Sequence, residues 1–288
     1  FFFTHKTAYE ILSGLVGSEM CIRDRYKGSF AYAEEQSRFE ISDVKTSAQK
    51  CGDGYKLNGT KIAVIDAKES DGLIVTARTG GSQYGAEGIS LFLVDTSAEG
   101  VALSSYNTMD SHSSSTINLE NVFVTEANLI VDEGEGFRHI ESCLPQILLC
   151  LSAEALGIME VLNRLTVEYS KTRKQFGAPI GSFQALQHRM VDNFMAFEQS
   201  KSMVYRGICE STSFNKNDIE INQFLKTAHA VKALIAKNSK QIGDESIQIH
   251  GGIGMTDELN IGHFVKRLMM INVLFGDGDF HRQCFSQN

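Results

Sequence analysis

The chain has no tryptophan and only two prolines, Pro145 and Pro179, in 288 residues. Basic residues are in deficit, with 27 Lys and Arg against 35 Asp and Glu and a net charge of -8. That balance argues against nucleic acid, whose recognition needs a basic face, and gives no support for an anionic membrane surface. No apolar run approaches the roughly 18 residues of a spanning helix. The most apolar stretch, Leu144 to Leu156, is short and is interrupted by Gln146 and Glu154. Six cysteines (Cys21, Cys51, Cys143, Cys150, Cys209 and Cys284) lie scattered, with no CxxC and no metal-like spacing. They read as free thiols of a reducing compartment. What is present, 42% hydrophobic residues over this length, can bury a sizeable core and fill two domains.

Residues 1–25, FFFTHKTAYEILSGLVGSEMCIRDR, begin without Met and follow no apolar period. They lack the order of a signal peptide and the Arg/Ser-rich, acid-poor pattern of a transit peptide. They read as a non-native segment, translated sequencing-adapter DNA fused to a real transcript. The location in the cell stays open, since mitochondrial, peroxisomal and bacterial cytoplasmic settings all fit.

Residues 26–133 carry a β pattern. Tyr55 to Leu57 leads into Asn58-Gly59, a type I′ hairpin signal, and then into Lys61 to Ile65. Apolar runs follow at 72–77, 89–94, 116–119 and 122–124, and GGSQYGAEG at 80–88 reads as a mobile hairpin loop. Close strands without intervening helices predict an antiparallel barrel or sandwich. From Gly136 the period becomes helical: Ile140, Leu144, Leu148, Leu151, Ala155, Ile158, Leu162 and Leu165 mark one helix to about Gln175. Pro145 should kink or restart it. Helices over 183–211, 218–249 and 257 to the C-terminus complete a four-helix bundle over 134–288. The fold class expected is therefore α+β, a β middle domain followed by a helical bundle.

Two motifs interrupt the helices. One is RKQFGAPIGSFQALQ at 173–187, where Gly177, Pro179 and Gly181 form an ordered turn; the other is QIHGGIGMTDE at 248–258. A guanidinium at Arg173 suits a diphosphate and Phe176 suits a flat ring. Yet Arg173-Lys174 also suits a helix C-terminus. Glycines at 251 and 252 allow close backbone approach to a phosphate or ribose, and are also ordinary C-caps. His250 reads as a spectator rather than a base.

Together these motifs resemble the acyl-CoA dehydrogenase family of flavoproteins, over essentially the whole second half, with the β half similar to the family's middle domain. The resemblance implies FAD held between two subunits. It places Arg173 on the pyrophosphate, Gln175, Phe176 and Gln184 beside the cofactor, and Gln248, Gly251 and Gly252 along it. It further implies an acyl-CoA substrate, a homologous partner subunit in a homo- or hetero-oligomer, and an electron-acceptor flavoprotein. QSRF, KIAV, SAEALG and FGDGDFH look most like the small-subunit branch, similar to the pimeloyl-CoA dehydrogenase small subunit. The family's N-terminal helical domain has no counterpart in these residues, and the adapter-like head is read as marking its loss from the sequence record.

The departures are as specific as the matches. Where the family has a T-E-P-x-A-G-S-D loop, residues 33–40 keep only Glu34 outright and the terminal acidity at Glu40. The W-I-T strand reads Ala63-Val64-Ile65. The catalytic Glu of I-Y-E-G-T is Gly276 in Leu274-Phe275-Gly276-Asp277-Gly278, and the alternative Glu site falls at Ile147. Removing an α-proton from a thioester needs a carboxylate within hydrogen-bond reach. Asp277 is the nearest replacement, although it reads more readily as a helix-breaking turn residue of FGDGD. Asp279, Glu154 and His281 are weaker candidates. Lys266-Arg267, where the family has an Arg, reads as a solvated or inter-helix charge. Two functions stay open: an FAD-dependent dehydrogenase subunit performing α,β-dehydrogenation, or a catalytically silent assembly subunit.

Overall fold

The computed structural model describes residues 26–215 and 219–287. The adapter-like head with Cys21, residues 216–218 of the expected 213–218 loop, and residue 288 lie outside the described residues. The chain divides into two compact units between Leu144 and Pro145.

The first unit is one seven-stranded sheet: β1 (Gly28–Ala31), β2 (Ser47–Cys51), β3 (Gly54–Ile65), β4 (Gly72–Arg78), β5 (Ile89–Asp95), β6 (Val101–Asn107) and β7 (Ser113–Thr125). The order is β1-β4-β2-β3-β7-β6, with β5 on β4. Four of the pairings are antiparallel. The sheet is nonetheless mixed, because β1 runs parallel to β4, as does β2 at the single pair Ser47–Arg78. The chain between β1 and β4 passes through the β2–β3 pair, the long crossover that a parallel neighbour requires. Tyr55, Leu57, Leu73, Val75, Phe92, Val94, Ile117 and Val122 are buried in one cluster. Each such side chain contributes roughly 1.5–3 kcal/mol of burial.

The hairpin predicted at Asn58-Gly59 is elsewhere. Strand β3 runs straight through those residues, and the turn between β2 and β3 is at Gly52-Asp53, where Gly52 has φ +61°. Asn58 is instead held from the side, its Oδ1 accepting from Asn121 N at 2.8 Å. Gly59 is needed because a Cβ there would lie 2.4 Å from Thr46 Oγ1. A two-residue turn signal cannot distinguish these causes. The loop at 80–88 is likewise not a free hairpin. Arg78 donates to the carbonyls of Ser42, Val44, Gln83, Gly85 and Glu87 and so ties that loop to 42–44.

Glu34 does for the first loop what Arg78 does for the second. Its carboxylate is buried and accepts from Lys45 N (2.8 Å), Thr46 N (3.0 Å), Thr46 Oγ1 (2.7 Å) and Lys61 Nζ (2.7 Å). Lys61 is fully buried and also donates to Thr76 Oγ1 at 2.8 Å. A bulge in β3 between Lys61 and Val64 puts Ala63 at φ +52° and turns Ile62 N toward Ala33 O at 2.9 Å. Residues 33–37 are thus fixed by strand β3 from both main chain and side chain.

The helices are α1 (Gly136–Thr172), α2 (Gln184–Asn215), α3 (Ile221–His250), α4 (Ile261–Val273) and α5 (Gly278–Gln287). Helix α1 continues through Pro145. By length and composition α1 could cross a membrane, but Ile140, Leu148, Ala155, Met159 and Leu162 are all buried in the protein. The cysteines among the described residues are free. In the second unit Gly207 allows α2 to meet Leu149 closely, and Asn238 of α3 donates to Ala196 O and Ser200 Oγ, both at 3.0 Å. The single helix expected from Asp257 onward is two. It breaks at Phe275 (φ +56°) and Gly276 (φ +121°), conformations no helix contains.

Removing one partner of a buried ion pair costs about 3–5 kcal/mol, so Glu34→Gln is expected to lose that much in urea unfolding of the chain. The double variant Glu34→Gln/Lys61→Met is expected to lose less than the sum of the two singles. Burial would raise the Glu34 carboxyl, but Lys61, with the hydrogen bonds from Gln36 and Thr46, brings it down to about 2 from 4.5. A depressed folded pKa contributes stability above 4.5 that is lost as pH falls toward 2. The Glu34→Gln variant should lack that acid slope, and an unchanged slope would remove Glu34 as its source.

Candidate functional site

The 173–187 motif forms a small hairpin followed by a helix start. Strands β8 (Lys174–Gln175) and β9 (Ala178–Pro179) pair antiparallel, and Ile180 N closes the loop on Arg173 O at 2.8 Å. The turn residues Phe176 and Gly177 both have positive φ, +52° and +79°, as a type I′ turn demands. Glycine takes that conformation freely, whereas a bulky aromatic does so at a cost. Phe176 is nevertheless 93% exposed, with only an edge contact to Phe183 at 6.2 Å. Gly181 is required by packing: a Cβ there would lie 2.9 Å from Ser170 Oγ.

The 248–258 motif ends α3. Gly251 has φ +67°, and a Cβ added at Gly251 or Gly252 would meet no atom within 4 Å. The space beside both is open. Tyr169, one turn before Arg173, brings the two motifs together. Its ring stacks on His250 at 4.4 Å, and its hydroxyl donates to His250 O at 3.3 Å. Tyr169, Thr172, His250 and Glu258 line a cavity of about 380 Å³ that also touches Glu168 and Ile261. His250 itself is buried, with Nδ1 on Ser246 O at 2.7 Å, and burial lowers its pKa. It is a packing residue of this corner.

Arg173, Gln175, Gln184 and Gln248 are exposed, and among the described residues no hydrogen bond or ion pair engages their side chains. The structure therefore gathers Arg173, Gln175, Phe176, Gly251 and Gly252 at one corner of the helical unit, with Gln248 one turn back on α3 and Gln184 opening α2. Tyr169 was missed from the sequence. An aromatic one turn before the motif is ordinary helix composition, and only its stacking on His250 reveals the role.

Asp277 belongs to a different place. The α4–α5 turn is gripped by Lys232 of α3, whose buried Nζ donates to Ile271 O (2.7 Å), Leu274 O (3.2 Å) and Gly276 O (3.2 Å). Burial lowers this ammonium to about 8, with the Asp277 charge opposing. Asp277 Oδ1 accepts from Phe280 N at 2.8 Å, the N-cap bond of α5. Of the two readings of Asp277, the turn residue describes this geometry. Lys232 and His250 stand 18 residues apart on α3, about 27 Å along its axis. Asp277 thus sits beside the middle of α3, well separated from the Arg173 corner at its C-terminal end.

The other candidate bases are engaged. Glu154 holds Arg267 through Nε and Nη2 at 2.5 and 2.9 Å, so that arginine is an inter-helix charge. Asp279 is exposed and paired with Arg282. His281 is buried against His229, Nδ1 to Nδ1 at 2.8 Å, and burial takes both imidazoles down, to about 3 and about 4.

The family profile for the acyl-CoA dehydrogenase C-terminal domain matches residues 134–288, and that for the middle domain matches residues 29–122. The chain belongs to the acyl-CoA dehydrogenase family. It is 30% identical to a 3-(aryl)acrylate reductase of Clostridium sporogenes, over 93% of this chain and 70% of the relative. It is 31% identical to a probable acyl-CoA dehydrogenase of Bacillus subtilis, over 88% and 66%. Butyryl-CoA dehydrogenase from Megasphaera elsdenii superposes with a TM-score of 0.84 at 25% identity, over 93% of this chain and 69% of that one. A structure described as PigA with FAD and proline gives 0.85, also at 25%, over 97% and 75%. The chain thus spans about two thirds of the length of the curated relatives it matches, 66% or less for several of them.

Gly276, where the resemblance in sequence leads one to expect the usual base, has no room for a side chain. A Cβ on Gly276 would lie 2.5 Å from Phe280 Cδ1 and 2.8 Å from His281 Nε2, at a φ that side chains avoid. The alternative position, Ile147, is buried. Ala63 is exposed on its bulge and Ile65 is half-buried. Gly276→Ala is expected to cost at least the ~1–3 kcal/mol of a strained backbone residue, and Gly276→Glu more, both read as lowered thermal midpoints. A Gly276→Glu chain melting with the parent would show that the turn is not packed in this way.

Proposed function

We propose that this chain is an FAD-binding subunit of an acyl-CoA dehydrogenase that performs α,β-dehydrogenation of an acyl-CoA thioester, in an oligomer with a homologous subunit. The observation that carries this reading is the Tyr169-built corner, which presents a solvent-facing Arg173, an exposed Phe176 and two glycines with open space beside them. Its residues fit FAD. Arg173 would take the diphosphate with a forked pair of charge-assisted bonds. Gly251 and Gly252 would let the backbone lie against a ribose or phosphate. Phe176, Gln175, Gln184 and Gln248 would border it. FAD, when bound, supplies the acceptor for the β-hydride. Because these groups face outward at the C-terminal end of α3 while Asp277 caps a helix beside Lys232, about 27 Å back along the axis, the reading has this corner serve the cofactor of a neighbouring subunit. Electrons then leave to an acceptor flavoprotein, and the small-subunit branch is the placement that the motifs favour.

One observation favours a second reading. Gly276 is closed to any side chain, Ile147 is buried, and Asp277 is committed to its cap. On that reading the α-carboxylate comes from the partner, and this chain is a cofactor-holding assembly subunit.

The test is the visible flavin spectrum of the purified chain, alone and co-expressed with a homologous subunit, followed by anaerobic acyl-CoA. Bound flavin that bleaches supports dehydrogenation, and bound flavin that never bleaches supports the assembly role. A protein that carries no flavin under either condition overturns both. Arg173→Ala removes hydrogen bonds of the charged kind, about 1.5–3 kcal/mol, so FAD affinity should fall roughly ten- to a hundredfold with an unchanged melting temperature of the flavin-free protein.

A further inference from the structure

Tyr169 holds both motifs of the corner, with different atoms for each. Its carbonyl oxygen accepts from Arg173 N at 2.9 Å, which extends the helical ladder of α1 by one bond, and from Thr172 Oγ1 at 3.1 Å. Its phenol reaches the other way and donates to His250 O at 3.3 Å. Among the described residues, no other hydrogen bond joins residues 165–187 to residues 246–258. The end of α1 and the end of α3 are thus tied through one side chain.

The tie is made at the peptide from which the glycines leave. His250 O and Gly251 N belong to one planar peptide unit. Gly251 N donates to Ile247 O, and His250 is the N-cap of the short 3₁₀ helix Gly251–Met255 that follows. Gly251 then takes φ +67° with ψ −147°, close to a region that only glycine enters freely. The ring of His250 is the seat. Its Nδ1 donates to Ser246 O at 2.7 Å, which holds the imidazole against its own helix, and the Tyr169 ring lies on it at 4.4 Å and 27°. The imidazole thus offers a face to Tyr169, while its Nδ1 proton is spent within α3.

We infer that Tyr169 is a positioning residue: its carbonyl sets Arg173, its phenol sets the His250–Gly251 peptide, and the guanidinium and the glycine backbone are thereby held at one separation. This role rests on the flavin reading proposed above, in which the ligand spanning that separation is FAD. A dinucleotide gripped at diphosphate and ribose gains affinity when the two grips are already correctly spaced. Tyr169 acts on it only through Arg173 and the glycines.

The test compares three variants of the whole chain by FAD titration of the flavin-carrying assembly and by amide hydrogen exchange of the flavin-free protein. Tyr169→Phe keeps the stack and the main-chain bond and loses only the hydroxyl. Its FAD affinity should fall roughly two- to tenfold, the equivalent of one neutral hydrogen bond, with the thermal midpoint little changed. Exchange should quicken at residues 251–255 and stay at the parent rate in the body of α3. Tyr169→Leu loses the stack as well and should bind FAD at least about tenfold more weakly than the parent. His250→Phe keeps a flat ring and the same peptide carbonyl, so its FAD affinity should stay within about twofold of the parent across neutral pH. A parent that carries no FAD overturns the flavin reading and this role with it. A parent that binds FAD, with Tyr169→Phe binding it equally well, overturns this role alone. Faster exchange throughout the helical unit of Tyr169→Phe would mean general destabilisation and overturn it too. So would a loss confined to His250→Phe, which would assign the effect to the imidazole.

Discussion

A lysine ammonium held by main-chain carbonyls decides what the helical unit can do. Lys232 Nζ is buried and donates to three of them, those of Ile271, Leu274 and Gly276. The first is in the last turn of α4 and the others follow it, so one charge gathers carbonyls that a helix end leaves unpaired. The chain can then reverse within a few residues, at the cost of two positive φ angles, and restart as α5 under the Asp277 cap. Once that reversal is fixed, Gly276 is pressed against Phe280 and His281. Its lack of a side chain is therefore a packing requirement of this turn. A carboxylate cannot be recovered there by a single substitution without moving the cage around it.

The same device recurs in the sheet unit. Lys61 holds Glu34 and the 33–37 loop, and Arg78 gathers carbonyls from two loops that have no regular structure of their own. Irregular backbone cannot satisfy its carbonyls in a ladder, and a buried cation with several donors satisfies them at once. Glu34, the one outright match in its loop to the family's pattern, is thus explained by architecture alone. It accepts five hydrogen bonds, all from groups of the protein itself.

The elements with strong periodicity were legible in the sequence: β4 and β5 from their apolar runs, and α1, α2 and α3 from the 3.6-residue repeat. What failed were places where a neighbour, not local pattern, decides. Asn58-Gly59 has the residues of a hairpin, but Asn121 and Thr46 explain both, and the turn went to Gly52-Asp53. The parallel placement of β1 on β4 is invisible locally because it depends on the crossover. The helix from Asp257 onward was read as one because Lys232, which breaks it, lies some forty residues earlier. For the site, the Arg173 and Gly251 motifs could be named from sequence, whereas their meeting rests on Tyr169, a residue with no motif around it.

A division of labour follows from the length of α3. The Arg173 corner is at its C-terminal end and the closed α4–α5 turn is beside Lys232, about 27 Å away along the axis. A rigid helix cannot shorten that separation, so one copy of the helical unit cannot bring both features to the same reacting atoms. If the corner binds a dinucleotide, the second feature must act on another one. Family membership alone would allow each copy to be a complete enzyme. The closed turn bears on that default, because Gly276 has no room for a side chain beside Phe280 and His281. On the proposed reading such a subunit serves by presentation, and Arg173 and Phe176, both exposed at the corner, are the residues placed for it.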